Sequence, residues 1–524
     1  MGDFAFRFGT AGIRARAGTG PGELHRGSVR VIAHAIGLAL EPQAQAAQTR
    51  LICLGFDGRR DSRAFAEEIA AVLLGHGFQL ACFTEPCPTP LLAFALRQRS
   101  ALAGVMVTAS HNPPEDNGIK LYLAGGAQLA APLDAEIEAL IASADEAHVP
   151  QSPLDQARRD GRLQPLGEAE LSAYVHMLQG LVPSSAALSL PPLAYSALCG
   201  VGGGVAHAVF RALGAVQVAE VREQAQPRAD FGGLRSPNPE EPEALARLTA
   251  LAEREGSALA FAHDPDADRL AVLARDSEGL LVSLSGDEVG ALIGDFLLSL
   301  ERDPARVLLV STLVSGGLLE RICAARGAHF LRTPTGFKWI ARLGRERAAR
   351  LGQQLLFGYE EALGYAFFAE ADDKDGSAAL RVLCELARRL EARGASLLGR
   401  LDELAREHGL FATRALSVRL SGADGPAQVE RIMDRLRALP LAPLLGPAAT
   451  CEDHAQAATP AALLVLRDAA GDTRVCIRPS GTEPKLKLYL HVREAVQSEV
   501  AAARRSAGAR LGQLAQALAP YLTA

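Results

Sequence analysis

The chain has 524 residues, 48% of them hydrophobic and only 5% aromatic, which predicts three or four domains with mostly aliphatic cores. Its 54 basic and 60 acidic residues leave a net charge of −6, too small for a disordered polyelectrolyte, and without any long basic run they exclude nucleic acid as an expected partner. Eight scattered cysteines, whose closest pair Cys82 and Cys87 lacks CxxC spacing, exclude a disulfide scaffold and predict reduced thiols in a cytoplasmic protein.

The N-terminal Met1-Gly2-Asp3-Phe4 has no basic stretch leading into an apolar one, so no signal peptide is expected, and Phe6 stands where myristoylation needs Ser or Thr. Residues 51–57 read as a buried strand, Ser62 to about Leu74 as a helix ending at Gly75, and 78–84 as a second strand. Thr89-Pro90 reads as a capping residue before a proline at the first helical position. A third strand, 103–107, runs into Thr108-Ala109-Ser110-His111. This alternation predicts a mostly parallel sheet covered by helices. Residues 171–210 carry no Asp, Glu, Lys or Arg, yet Pro183, Pro191, Pro192 and the glycines from 200 to 204 break the run, so a membrane span is not expected. It reads as a helix end, a linker and a buried strand.

The alternation restarts at 193–198 and again at 307–311, each followed by a helix, near 205–213 and 316–325, with a further strand at 328–332. Ser285-Gly286-Asp287-Glu288 is a capping box. Beyond about residue 408 the pattern changes to strands near 413–420 and 462–467 and a strand pair around 474–490, which surround a helix near 427–438, and a long helix closes the chain. The fold class expected is therefore α/β: three similar mixed α/β domains plus a C-terminal α+β domain around a central cleft. Expected boundaries are 1–182, 183–284, 285–408 and 409–524.

Four segments carry chemistry. Thr108-Ala109-Ser110-His111-Asn112-Pro113-Pro114 sits past the carboxyl end of a strand, where open α/β sheets place ligands; a plain turn would use the same residues. His263-Asp264-Pro265-Asp266-Ala267-Asp268-Arg269 offers three alternate carboxylates to one hard cation. Arg269 and Arg275 occupy the glycine and glutamate positions of an EF-hand, so that calcium loop is excluded. Arg478-Pro479-Ser480-Gly481-Thr482 provides a guanidinium, two hydroxyls and backbone N–H groups suited to a phosphate dianion. Tyr359-Glu360-Glu361-Ala362 sets adjacent glutamates at a strand end, able to accept from sugar hydroxyls. No Walker A loop is present, and Val205 spoils the dinucleotide fingerprint of 200–205.

Taken together, these residues resemble the α-D-phosphohexomutase superfamily of phosphoglucomutases and phosphomannomutases. The resemblance is carried by Phe8-Gly9-Thr10-Ala11-Gly12-Ile13-Arg14, TASHNPPEDNGIK at 108–120, DPDADR at 264–269, TPTGFKWI at 333–340, GYEEALGY at 358–365 and RPSGTEPK at 478–485. It implies that Ser110 carries phosphate, and that Ser110, Asp264, Asp266 and Asp268 bind Mg²⁺. It implies that Arg14, His111, Lys120 and Lys374 surround the reacting phosphate. Thr335, Gly336, Glu360 and Glu361 then meet the sugar, while Arg478, Ser480, Gly481 and Thr482 hold its other phosphate. The implied partner is a small phosphorylated sugar, with glucose 1,6-bisphosphate as activator and intermediate, and the implied assembly is a monomer or weak homodimer with no membrane or nucleic acid. The best-known hexose mutases read GEES or GEMS in the sugar loop; here Ala362 replaces that serine. The expected substrate is glucose phosphate. Mannose and pentose phosphates, a glucose-1,6-bisphosphate synthase, and a catalytically silent sugar-phosphate sensor are the alternatives.

Overall fold

A computed structural model describes residues 6–9, 11–214, 217–368, 371–420, 425–456, 461–479 and 485–522. Among them the strands form four sheets that follow one another along the chain. In the first, Leu51–Phe56 pairs in parallel with Gln79–Phe83 and with Ala103–Val107. Asp116–Leu123 then lies antiparallel to Ala103–Val107, and Ile13–Arg16 antiparallel to Asp116–Leu123, so the sheet is mixed. Alternation explains why it is covered on both faces. Ile52, Leu54 and Phe56 pack under the helices Arg26–Ala47 and Ser62–Gly75, while Cys53 on the opposite face joins the core around Leu92 and Leu96.

That second core does not end with the first sheet. It runs on through Tyr195, Phe261, Leu292, Phe357 and Leu383, so one hydrophobic cluster joins the first three sheets. In the second sheet Leu259–His263 is parallel to Leu193–Ser196 and antiparallel to Leu270–Arg275. In the third, Val307–Thr312 is parallel to both His329–Thr333 and Gln354–Glu360. In each of these three sheets a buried strand ends where a polar loop begins.

The fourth sheet, in the order Leu410–Arg419, Lys485–Glu494, Thr473–Pro479, Leu464–Arg467, Thr450–Asp453, is antiparallel throughout. Leu486, Leu488, Leu490 and Val492 alternate onto the face packed by the final helix, Val500–Leu518. Ser285 caps its helix as expected: its Oγ accepts from the Glu288 N–H, and the Glu288 carboxylate accepts from the Ser285 N–H. Thr89 does not cap. It is the first residue of the helix Thr89–Gln98, whose N-cap is Pro88, and its hydroxyl is engaged elsewhere. All eight cysteines are free. No described helix is long and apolar enough to cross a membrane.

Candidate active site

Ser110 sits one turn beyond the strand Ala103–Val107 with φ of 54°, in the left-handed region. For a residue with a Cβ that conformation costs on the order of 1–2 kcal/mol and persists only where neighbours enforce it. The Thr108 hydroxyl accepts from the Ser110 N–H at 2.9 Å. The Ser110 hydroxyl donates to Asp264 Oδ2 at 2.9 Å and lies 3.2 Å from His111 Nδ1. Burial, with Arg269 and Arg14 nearby, holds the His111 imidazole well below its ordinary pKa, which favours the neutral ring.

The three aspartates lie on the tight connection between Leu259–His263 and Leu270–Arg275, where Ala267 also takes a positive φ of 58°. Asp264, Asp266 and Asp268 are fully buried, and one carboxylate oxygen from each lies within 4.8 Å of the others. Burial and the other two carboxylates push Asp264 far above the ordinary carboxylate range. Burial acts the same way on Asp268, but Lys120 and Lys374 outweigh it and hold that group below its ordinary value. Lys120 donates to Asp266 Oδ2 and Asp268 Oδ2, both at 2.6 Å, and Lys374 Nζ lies 2.9 Å from Asp268 Oδ2.

The residues fit a hard divalent cation. Their donors are carboxylate oxygens, and Asp266 Oδ1 and Asp268 Oδ1 are buried without a hydrogen-bond partner, which is costly unless something satisfies them. His263 is not part of that carboxylate cluster; its Nδ1 pairs with the Tyr195 hydroxyl at 2.8 Å. Lys120, Lys374, Arg269 and Arg14 together outnumber the three carboxylates, which suits a site for a phosphate dianion.

The sugar-loop residues come from the third sheet. Glu360 Oε1 accepts from the Gly336 N–H at 2.5 Å, so these two expected residues meet. Gly336 has φ of 118°, a conformation that requires glycine, and adds no side chain between Glu360 and the following helix, Phe337–Leu351. Thr335 is half-buried beside it. Burial, with Glu361 adjacent, lifts Glu360 to about 7. Glu361 is placed differently from its neighbour: its carboxylate accepts from the Thr312 and Ser315 hydroxyls, both at 3.1 Å, and so ties the loop to the strand end beside it. The metal loop and sugar loop are joined through the backbone, by a bridge between Arg269 and Gly364. Arg478 is half-buried near the end of Thr473–Pro479; Ser480, Gly481 and Thr482 lie outside the described residues.

Two residues with no expected role also converge here. The Thr89 hydroxyl donates to Asp266 Oδ2 at 2.6 Å, and its N–H donates to the Asp266 carbonyl at 3.0 Å. Arg59, buried, reaches the backbone of the Ser110 loop. A signal for Arg59 existed in the charged run Asp57-Gly58-Arg59-Arg60 straight after a buried strand. Thr89 gave none beyond its turn-like context.

Residues 5–148, 172–279 and 285–406 match, in order, the alpha/beta/alpha domains I, II and III of phosphoglucomutase/phosphomannomutase, and 448–505 matches the C-terminal domain. A Haemophilus influenzae chain named "Probable phosphomannomutase" is 35% identical over 84% of this chain and 88% of its own length. A Staphylococcus epidermidis phosphoglucomutase is 30% identical over 92% of this chain and 90% of its own. The crystal structure of a phosphoglucomutase/phosphomannomutase family protein from Burkholderia thailandensis is 22% identical and superposes with a TM-score of 0.69, covering 97% of both chains, a likeness of fold. With all four domains present in order and relatives matched along most of their length, the chain belongs to the phosphoglucomutase/phosphomannomutase family, within the α-D-phosphohexomutase superfamily of phosphosugar mutases.

Proposed function

We propose that the enzyme interconverts glucose 1-phosphate and glucose 6-phosphate through phosphorylated Ser110 and a bisphosphorylated sugar. The observation that carries this reading is the Ser110 hydroxyl at 2.9 Å from Asp264 and 3.2 Å from His111. A phosphoryl group cannot cross a hexose from one end to the other in one step. A sugar hydroxyl oxygen therefore bonds to the phosphorus on Ser110 as the Oγ–phosphorus bond breaks, and the hydroxyl's proton passes by way of His111, whose Nδ1 lies 3.2 Å from Oγ, to the serine oxygen that is released. The bisphosphate then turns round, and its other phosphoryl group returns to Ser110.

Such transfers depend on in-line positioning and on neutralising the oxygens that move. Lys120, Lys374 and Arg14 are the side chains that support this. Mg²⁺ held by Asp264, Asp266 and Asp268 would add further neutralisation when bound. Arg478, with Ser480, Gly481 and Thr482, would grip the phosphate that does not react, whichever end of the sugar carries it. Thr335, Gly336 and Glu360 would meet the sugar hydroxyls, and Glu361 would set the loop.

The test is a panel of glucose, mannose, glucosamine, ribose and deoxyribose 1-phosphates with Mg²⁺ and catalytic bisphosphate. Glucose 1-phosphate should give the highest kcat/KM, with mannose 1-phosphate also turned over. A far higher kcat/KM for ribose 1-phosphate would replace the hexose reading with a pentose one. Discrimination should be loose, because Ala362 leaves no hydroxyl to be stranded by a wrong sugar. Ala362→Ser should sharpen preference for one hexose by about 0.5–1.5 kcal/mol, the scale of one hydrogen bond, read as a ratio of kcat/KM values.

Glu360 gives a pH dependence. Its carboxyl is raised to about 7, so the ionised form, the stronger acceptor for sugar hydroxyls, predominates only above that pH. kcat/KM should therefore rise as pH increases through about 7. Glu360→Gln should lower the plateau and remove that rise; an unchanged profile in the variant would separate Glu360 from sugar binding.

A further inference from the structure

Arg59 lies outside every residue assigned above, and both terminal nitrogens of its guanidinium are taken up by one loop. Its Nη1 donates to the carbonyls of Pro113 and Asp116, each at 2.7 Å. Its Nη2 donates to the carbonyls of Ser110 at 2.6 Å and Asn112 at 2.7 Å. Its Nε faces Asp57 Oδ2 at 3.2 Å. Asp57 is itself fixed, accepting through Oδ1 from the Ser62 hydroxyl at 2.6 Å and from the Arg59 N–H at 3.0 Å. The face of the guanidinium lies 4.8 Å from the ring centre of Phe231, which comes from the second sheet's side of the molecule.

Four carbonyls turned onto one point would repel one another, and a buried ring of them needs a donor for each. A planar guanidinium carries five N–H groups in a fixed fork; a lysine ammonium carries three on a flexible stem and cannot span the same four acceptors and Asp57. The loop so gathered is the one that holds Ser110 in its left-handed conformation. Buried Asp57 balances the charge, so Arg59 is a bound cation beneath the loop rather than a free one facing substrate.

We propose that Arg59 is a positioning residue that fixes the Ser110 loop from behind and sets the line of phosphoryl transfer. It rests on the reading of Ser110 as phosphate carrier. It differs from that reading in what it predicts: loss of Ser110 stops the relay, whereas loss of Arg59 leaves a relay that is misaligned. A displacement of about 1 Å at a reacting group can cost about 100-fold in rate. The phosphate anchor around Arg478 lies on another sheet, so substrate affinity should be spared.

The experiment is Arg59→Lys, with kcat and KM for glucose 1-phosphate, thermal melting, and intact mass to record Ser110 phosphorylation. The expected result is a folded protein that still carries phosphate, with kcat lowered about 100-fold and KM within about threefold of the natural enzyme, the signature of an interaction expressed in the transition state. A kcat within about threefold of natural, or a KM that moves as far as kcat, overturns the proposal. Should Arg59→Lys fail to fold, Asp57→Asn decides in its place: a lowered kcat at natural KM supports it, and natural kcat overturns it. If Ser110→Ala keeps its turnover, the relay itself falls, and that outcome is separate from either variant here.

Discussion

Ser110→Ala should lose nearly all turnover, on the order of the 10⁶-fold seen when a covalent nucleophile is removed. Ser110 is the hydroxyl that the strand end presents to Asp264 and His111, at 2.9 and 3.2 Å, so the relay as proposed has its carrier there. The protein should still fold. Ala at 110 keeps the same left-handed backbone at a similar cost, and the Oγ contact to Asp264 is worth only about 1 kcal/mol. Intact mass spectrometry should show a fraction of the natural protein heavier by a single phosphate, mapped to Ser110, and no such fraction in the variant. A folded Ser110→Ala enzyme with near-natural kcat would end the relay mechanism.

Removing the metal should have an effect of similar size. The described acidic triad has only oxygen donors, the kind that suits a hard cation, and Mg²⁺ is the ion our proposal places there. Chelation should abolish activity and Mg²⁺ should restore it. Asp266→Asn should raise the Mg²⁺ dissociation constant by more than about 100-fold, since losing even an outer partner of a ligand costs about 10–100-fold. Calorimetric titration of Mg²⁺ into both proteins reads this without any assay of turnover. The variant should remain folded, because the amide has the shape of the carboxylate it replaces and Lys120 keeps its ion pair with Asp268 at 2.6 Å. Full activity in excess chelator would contradict the metal's role.

Both predictions rest on segments that were legible in the sequence, for a shared reason. A short aliphatic strand such as Ala103–Val107 or Leu259–His263 is recognisable locally, and so is the polar turn that follows it. The same holds for the change to alternating Leu486, Leu488 and Leu490 in the last sheet. What was not legible depends on partners far away in the chain. Thr89 reads as a cap from its neighbours, but its hydroxyl bonds Asp266, 177 residues on. Arg59 reads as one charge in a charged turn until the Ser110 loop, more than fifty residues later, is brought over it. Lys374 lies among aspartates and glycine in a segment that looks exposed, and only the resemblance pointed to it; it is buried where Asp268, from the metal loop of the second sheet, reaches it at 2.9 Å. Glu361 shows the converse. Its pairing with Glu360 in sequence made them look equivalent, whereas the strand end places only one of them beside Gly336.

A single-turnover experiment tests the central claim most directly. Enzyme labelled with ³²P at Ser110 is mixed with excess unlabelled glucose 1-phosphate or glucose 6-phosphate in the presence of Mg²⁺, and the label is followed in protein, sugar and inorganic phosphate. The account predicts that either monophosphate strips the label from Ser110 into glucose 1,6-bisphosphate and then into the opposite monophosphate. Label that stays on the protein while sugar is converted, or that leaves only as inorganic phosphate, would contradict it.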